Sequence, residues 1–129
     1  RQFKDARALL TRDIRTVNFI GTEEEAKAME QAFPELQLRM FSVNYGADII
    51  EKGISKAEGL KKLCTYFGLE MSDVYAFGDS YNDSEMLEEA GVGIAMGNAK
   101  EELKEIADYI TSPIDQDGIW NACRHFQLV

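Results

Sequence analysis

Asp79, Asn82 and Asp83 fall within Phe77-Gly78-Asp79-Ser80-Tyr81-Asn82-Asp83, which follows the apolar run Val74-Tyr75-Ala76 and leads into the helical pattern Ser84-Glu85-Met86-Leu87. Two carboxylates and an amide therefore stand where a buried strand turns into a helix. In open α/β sheets ligands bind in the crevice beyond the carboxyl ends of the strands, so Asp79 occupies the position best suited to chemistry. A hard cation such as Mg²⁺ needs oxygens from only one or two carboxylates and takes its remaining ligands from water and substrate phosphate. The cluster suits a magnesium-dependent phosphoryl site. Lys56 lies in the first turn of another helical pattern, where the helix dipole disfavours a cation unless an anion sits there too. Taken alone, Lys56 reads as a solvated helix lysine.

The elements that must position these residues follow from periodicity and punctuation. Ser55 with Glu58 forms a capping-box pattern, and Ala57, Leu60, Leu63, Cys64 and Phe67 recur as one apolar helix face stopped by Gly68. Three strand patterns follow, at Val74 to Phe77, Val92 to Met96 and Tyr109 to Thr111. Helical segments from Asn82 to Ala90 and from Ala99 to Ala107 separate them, and Ile119 to Phe126 reads as a last helix. Strands alternating with helices at this spacing indicate parallel βαβ units.

Before Gly53 the organisation is different. Phe3 to Leu10 is weakly amphipathic, and Thr16 to Ile20 reads as a strand ending at Gly21. Thr22 and Glu25 form another capping box ahead of Ala26, Met29 and Phe33, a helix that ends before Pro34. Leu36 to Val43 alternates as a half-buried strand, Tyr45-Gly46 marks a turn, and Asp48 to Glu51 is a short return strand. Residues 1–51 thus read as part of a small α/β unit with an antiparallel pair, and residues 52–129 as a parallel α/β segment.

Composition narrows the function classes. The chain has 129 residues and a formal net charge of −9, which disfavours nucleic acid and anionic membrane as partners. A small phosphorylated substrate stays compatible, since one metal ion and one lysine reverse the local field. No apolar run reaches the roughly 18 to 20 residues of a membrane helix, and the N-terminal residues form no signal pattern, so a cytoplasmic location is expected. Cys64 and Cys123 lie on apolar helix faces without metal spacing and read as buried core residues in a reducing compartment. His125, the single histidine, has no partner pattern and reads as a surface residue, whereas Phe33, Met40, Phe41 and Trp120 read as packing residues.

Lys56, the Gly78-Asp79-Ser80-Tyr81-Asn82-Asp83 string and Ala90-Gly91-Val92-Gly93-Ile94-Ala95-Met96-Gly97-Asn98-Ala99 together resemble the haloacid dehalogenase superfamily of phosphotransferases, and more closely its Cof-type sugar-phosphate and cofactor phosphatases. The resemblance runs from about Asp48 to Phe126 and includes Asp108-Tyr109-Ile110-Thr111 and Asp117-Gly118. It implies an α/β fold in which residues 52–129 are the C-terminal half of a Rossmann-like catalytic core, preceded in residues 1–51 by the end of an α/β cap domain. By the same resemblance, Asp79 coordinates Mg²⁺ directly and Asp83 acts through metal-bound water or by holding the loop. Asn82 hydrogen-bonds substrate or phosphate oxygen, and Lys56 binds the transferring phosphoryl group and offsets its charge. The Gly97-Asn98-Ala99 loop shapes the floor of the cleft.

One departure from the family pattern changes the expectation for this chain. Family members carry an aspartate nucleophile in an Asp-x-Asp-Gly-Thr motif after the first core strand, with a Ser or Thr phosphate ligand further on. Here the nearest string is Asp115-Gln116-Asp117-Gly118, which is followed by Ile119 and lies near the C-terminus. The chain, which opens on Arg1, is therefore expected to be a C-terminal fragment of a phosphatase, inactive by itself. Its parent would hydrolyse small phosphomonoesters through a phospho-aspartyl intermediate. Two other readings stand beside this one: a phosphotransferase of the phosphomutase or cation-pump type, and a non-catalytic binding or assembly remnant. A half core would also expose a sheet edge and apolar surface, favouring association with another copy or with the missing N-terminal half.

Overall fold

The computed structural model describes residues 17–42 and 46–129. The stretch from Phe3 to Leu10, Thr16, Val43 and Tyr45 lie outside the described residues, as do the side chains of Met40 and Phe41. The chain divides into two compact units, Arg1–Lys52 and Gly53–Val129.

In the first unit, β1 (Val17–Ile20), β2 (Leu36–Ser42) and β3 (Gly46–Glu51) form an antiparallel sheet in the order β1-β3-β2. The expected antiparallel pair is thus a three-stranded sheet with the return strand at its centre. Between β1 and β2, α1 (Glu23–Ala32) begins at a complete capping box: the Glu25 N–H donates to Thr22 Oγ1, and the Thr22 N–H donates to Glu25 Oε2 at 2.8 Å. Ala26 and Ala47 are buried. Phe33, read from sequence as a packing residue, is 49% exposed at the end of α1.

The second unit opens with α2 (Lys56–Phe67). Ser55 Oγ accepts the Glu58 N–H, but Glu58 uses its carboxylate on Lys61 at 2.8 Å, so the cap is one-sided. Gly68 ends the helix at φ 69°, a left-handed conformation that glycine adopts without a Cβ clash. Then β4 (Tyr75–Gly78), β5 (Val92–Ala95) and β6 (Tyr109–Ile110) build a parallel sheet in that order, joined by α3 (Ser84–Glu89) and α4 (Glu101–Ile106) and followed by α5 (Gly118–His125). Leu87 of α3 and Leu103 of α4 pack with Ala76 and Ala95 over one sheet face. The Phe126 ring meets Tyr75 and Tyr109 edge-on over the other. Leu87, Ile94 and Leu103 are fully buried, each contributing about 2 kcal/mol relative to exposure.

Several elements differ from the sequence reading. The segment from Asn82 to Ala90 starts as a 3-10 turn, Tyr81–Asp83, because the Asp83 side chain is used on the preceding loop and α3 begins only at Ser84. Two further 3-10 turns, Met71–Asp73 and Ile114–Gln116, occupy stretches with no periodic signal. The apolar face of α2 is buried at Ala57 and Cys64 only, while Leu63 and Phe67 are 54% and 66% exposed. Trp120 is exposed rather than packed, and Cys123 is half-buried where Cys64 is buried. His125 is exposed as expected, stacked on Tyr109.

Candidate active site

A cleft of about 460 Å³ opens beyond the carboxyl ends of the parallel strands, lined by Lys56, Phe77, Gly78, Asp79, Asp83, Met86, Met96, Asn98, Ile114 and Ile119. Strand β4 ends at Gly78, and the loop after it is folded around one side chain. Asp83 is 4% exposed, and its Oδ2 accepts the N–H groups of Asp79 at 3.0 Å and Ser80 at 3.2 Å. Its Oδ1 accepts from Lys56 Nζ. The approach depends on Gly78, since a Cβ there would lie 2.6 Å from that of Asp83 and 2.7 Å from Leu87 Cδ1. Lys56, first residue of α2, thereby finds in Asp83 the anion that its place at the positive end of the helix dipole calls for.

Both oxygens of Asp83 are committed, Oδ2 to the loop backbone and Oδ1 to Lys56. Asp79 is different: it is exposed, it lines the cleft, and among the described residues no side chain donates to its carboxylate. Asn82 lies in the 3-10 turn between them, half-buried and off the cleft lining. The structure thus brings Lys56, Asp79 and Asp83 to one cleft and leaves Asn82 beside it. Among the described residues no group of three or more acidic, histidine or cysteine side chains could hold a metal ion. A single free carboxylate still fits Mg²⁺, which draws most of its ligands from water and phosphate.

The loops after the three parallel strands are stitched together. The Met96 N–H donates to the Gly78 carbonyl at 2.9 Å and the Lys100 N–H to the Asp79 carbonyl at 3.4 Å, so the loop after β5 carries the Asp79 backbone. The Gly97 N–H donates to the Ser112 carbonyl at 3.2 Å, and Asn98 Oδ1 accepts the Ile114 N–H at 2.9 Å. Tyr81 in the Asp79 loop neighbours the carboxylate of Glu102 on α4; that carboxylate first, then desolvation, raises the Tyr81 hydroxyl above its ordinary pKa. Asp115 and Asp117, from the one Asp-x-Asp-Gly string, follow β6 in the chain, and neither lines the cleft. Ile114 and Ile119, which wall it, were not singled out in the sequence. Their only signal is that they flank that string.

A sequence model of haloacid dehalogenase-like hydrolases matches residues 2–123. The Bacillus subtilis (strain 168) protein YkrA is 47% identical over 107 residues, covering 83% of this chain and 41% of YkrA. From the same organism, 5-amino-6-(5-phospho-D-ribitylamino)uracil phosphatase YcsE is 50% identical over 76 residues, 59% of this chain and 30% of YcsE. Among solved structures, the phosphatase-superfamily protein BT1666 from Bacteroides thetaiotaomicron superposes with a TM-score of 0.87 at 31% identity, over 95% of this chain and 46% of BT1666. The chain spans less than half the length of each of these three proteins.

Proposed function

The chain belongs to the haloacid dehalogenase-like hydrolases, and we propose that it forms the metal- and phosphate-binding half of a phosphatase acting on small phosphomonoesters. The observation that carries this reading is the division of labour between two aspartates. Asp83 is spent on Lys56 and on the loop backbone, while Asp79 is left free on the cleft. Asp79 would hold Mg²⁺, which when bound supplies charge neutralisation to the phosphoryl group and the attacking carboxylate. Asp83 fits the loop-holding role better than that of a ligand. It also holds the Lys56 ammonium beside the cleft, where that cation would bind phosphoryl oxygens and stabilise charge that shifts in the transition state. Asn82 would reach a phosphate oxygen only from the margin of the cleft.

The covalent step needs an aspartate of an Asp-x-Asp-Gly-Thr motif, attacking phosphorus to form an acyl phosphate that water then cleaves. That motif is absent from the sequence. The first unit would be the end of a cap that selects the substrate, a phosphorylated sugar or a phosphorylated cofactor. YcsE, a relative named for a phosphoribityl substrate, lies within that class. A cytoplasmic setting is supported by the unpaired cysteines, and no helix among the described residues is long and apolar enough to cross a membrane.

The test uses a longer protein that carries both this chain and the nucleophile motif. Asp79→Asn keeps the shape and removes the charge, so phosphomonoester turnover should fall at least about 100-fold, as removing one electrostatic transition-state contact does. Full activity with unchanged magnesium dependence would remove Asp79 from the metal site.

A further inference from the structure

We propose that Asn98 is a substrate-binding residue whose side-chain NH₂ donates a hydrogen bond to a phosphoryl or ester oxygen of the phosphomonoester. The inference rests on the phosphatase reading and adds a contact to it. Its basis is the orientation of one amide. A carboxamide has an accepting half and a donating half, and the environment decides which way each faces. The Ile114 N–H can only donate, and Asn98 Oδ1 accepts it at 2.9 Å. The amide is therefore fixed with its oxygen on the backbone of the loop after β6, and its NH₂ is the half that remains. No described residue accepts from that NH₂, and Asn98 lines the same cleft as Lys56 and Asp79.

The backbone around Asn98 is held on both sides. Two residues before it, the Met96 N–H is bonded to the Gly78 carbonyl, and two residues after it the Lys100 N–H is bonded to the Asp79 carbonyl. Gly97 lies so close to the next loop that a Cβ would be 2.6 Å from the Pro113 nitrogen. The donor is thus preorganised, and it stays neutral on a cleft whose charged side chains are Lys56, its partner Asp83 and the free carboxylate of Asp79. A neutral donor suits an oxygen that can only accept.

Aspartate at this position separates the donor role from a merely structural one. Asn98→Asp keeps an acceptor for the Ile114 N–H and exchanges the NH₂ for an anionic oxygen, whereas Asn98→Ala loses both halves. In the longer protein, Asn98→Ala should raise KM for a phosphomonoester about tenfold, the effect of losing one hydrogen bond to a charged group. Asn98→Asp should raise it at least about tenfold further, because like charges are brought together. The order reverses if Asn98 only clasps the loop: Asp would then approach wild type and Ala would be the worse variant. Amide hydrogen exchange at Ile114, measured in the same proteins, should be faster in Asn98→Ala and close to wild type in Asn98→Asp, showing that the clasp survives in the variant that binds worst. A KM for Asn98→Asp at or below that of Asn98→Ala overturns the proposal. A wild-type protein that neither hydrolyses a phosphomonoester nor binds inorganic phosphate overturns the phosphatase reading itself, and with it the role of Asn98.

Discussion

At the scale of single residues, Lys56 and Asp83 form one ion pair with unequal stakes. The Lys56 side chain is 50% exposed and that of Asp83 is 5% exposed. Lys56→Ala leaves Asp83 with two backbone donors and removes a half-screened cation, so the loss of stability should be no more than about 1 kcal/mol. Asp83→Ala leaves the Asp79 and Ser80 N–H groups without their acceptor in a tight loop, for a loss of about 3 kcal/mol. Denaturant unfolding of the two variants checks the asymmetry; equal losses would mean that Asp83 does not hold the loop. Kinetics of the longer protein give the complementary order. Lys56→Ala should lower kcat more than it raises KM, and Lys56→Arg should not restore the rate, because a planar guanidinium places its donors differently from a compact ammonium.

At the scale of elements, what was legible in the sequence is what local chemistry determines. Thr22 with Glu25, Ser55 before Lys56 and Gly68 after Phe67 place helix ends because each bonds to groups within a few residues. The strand preceding Asp79 and the turn after it were readable for the same reason. The one-sided cap at Ser55 was not, since Lys61 draws the Glu58 carboxylate away and bonds Glu89 of α3 as well. Exposure of Leu63, Phe67 and Trp120 depends on what packs against them, and helical spacing carries no such information. Asn98 and Ile114 meet across sixteen positions of sequence, a pairing that only the sheet topology creates. Two predictions belong here. Ser55→Ala should cost about 1 kcal/mol through the lost N-cap, read as a lower thermal midpoint. Glu102 should contribute to acid sensitivity. Its carboxyl is held below the ordinary value of 4.5 by its own backbone N–H, then by Tyr81. A depressed folded-state pKa gives stability that is present above the unfolded value and lost as pH falls through the folded one. Tyr81→Phe should therefore flatten the stability profile below pH 4.5; an identical profile would show that the Tyr81 hydroxyl adds nothing.

At the scale of the whole molecule, surface left over in the second unit sets the behaviour of the isolated chain. Strand β4 pairs with β5 on one side, and no described strand pairs with it on the other. Leu63, Tyr66 and Phe67, at helical spacing on α2, are 54%, 81% and 66% exposed. A stripe of this kind with an open strand edge is what stable monomers avoid. The chain matches only 41% of YkrA and 46% of BT1666, so each of those proteins has further sequence available to cover such surface. By itself the chain should show no phosphomonoester turnover, and it should associate with itself. The net charge of −9 opposes that association through like-charge repulsion, and salt screens the repulsion without weakening apolar burial. Sedimentation across a range of concentrations should therefore show a weight-average mass that rises with protein and rises further with added salt. Replacing both Tyr66 and Phe67 by Lys adds charge to the stripe and should return the chain to a monomer without changing its helix content. A wild-type chain that stays monomeric at high concentration in high salt would mean that the stripe and the strand edge are covered by the chain's own residues.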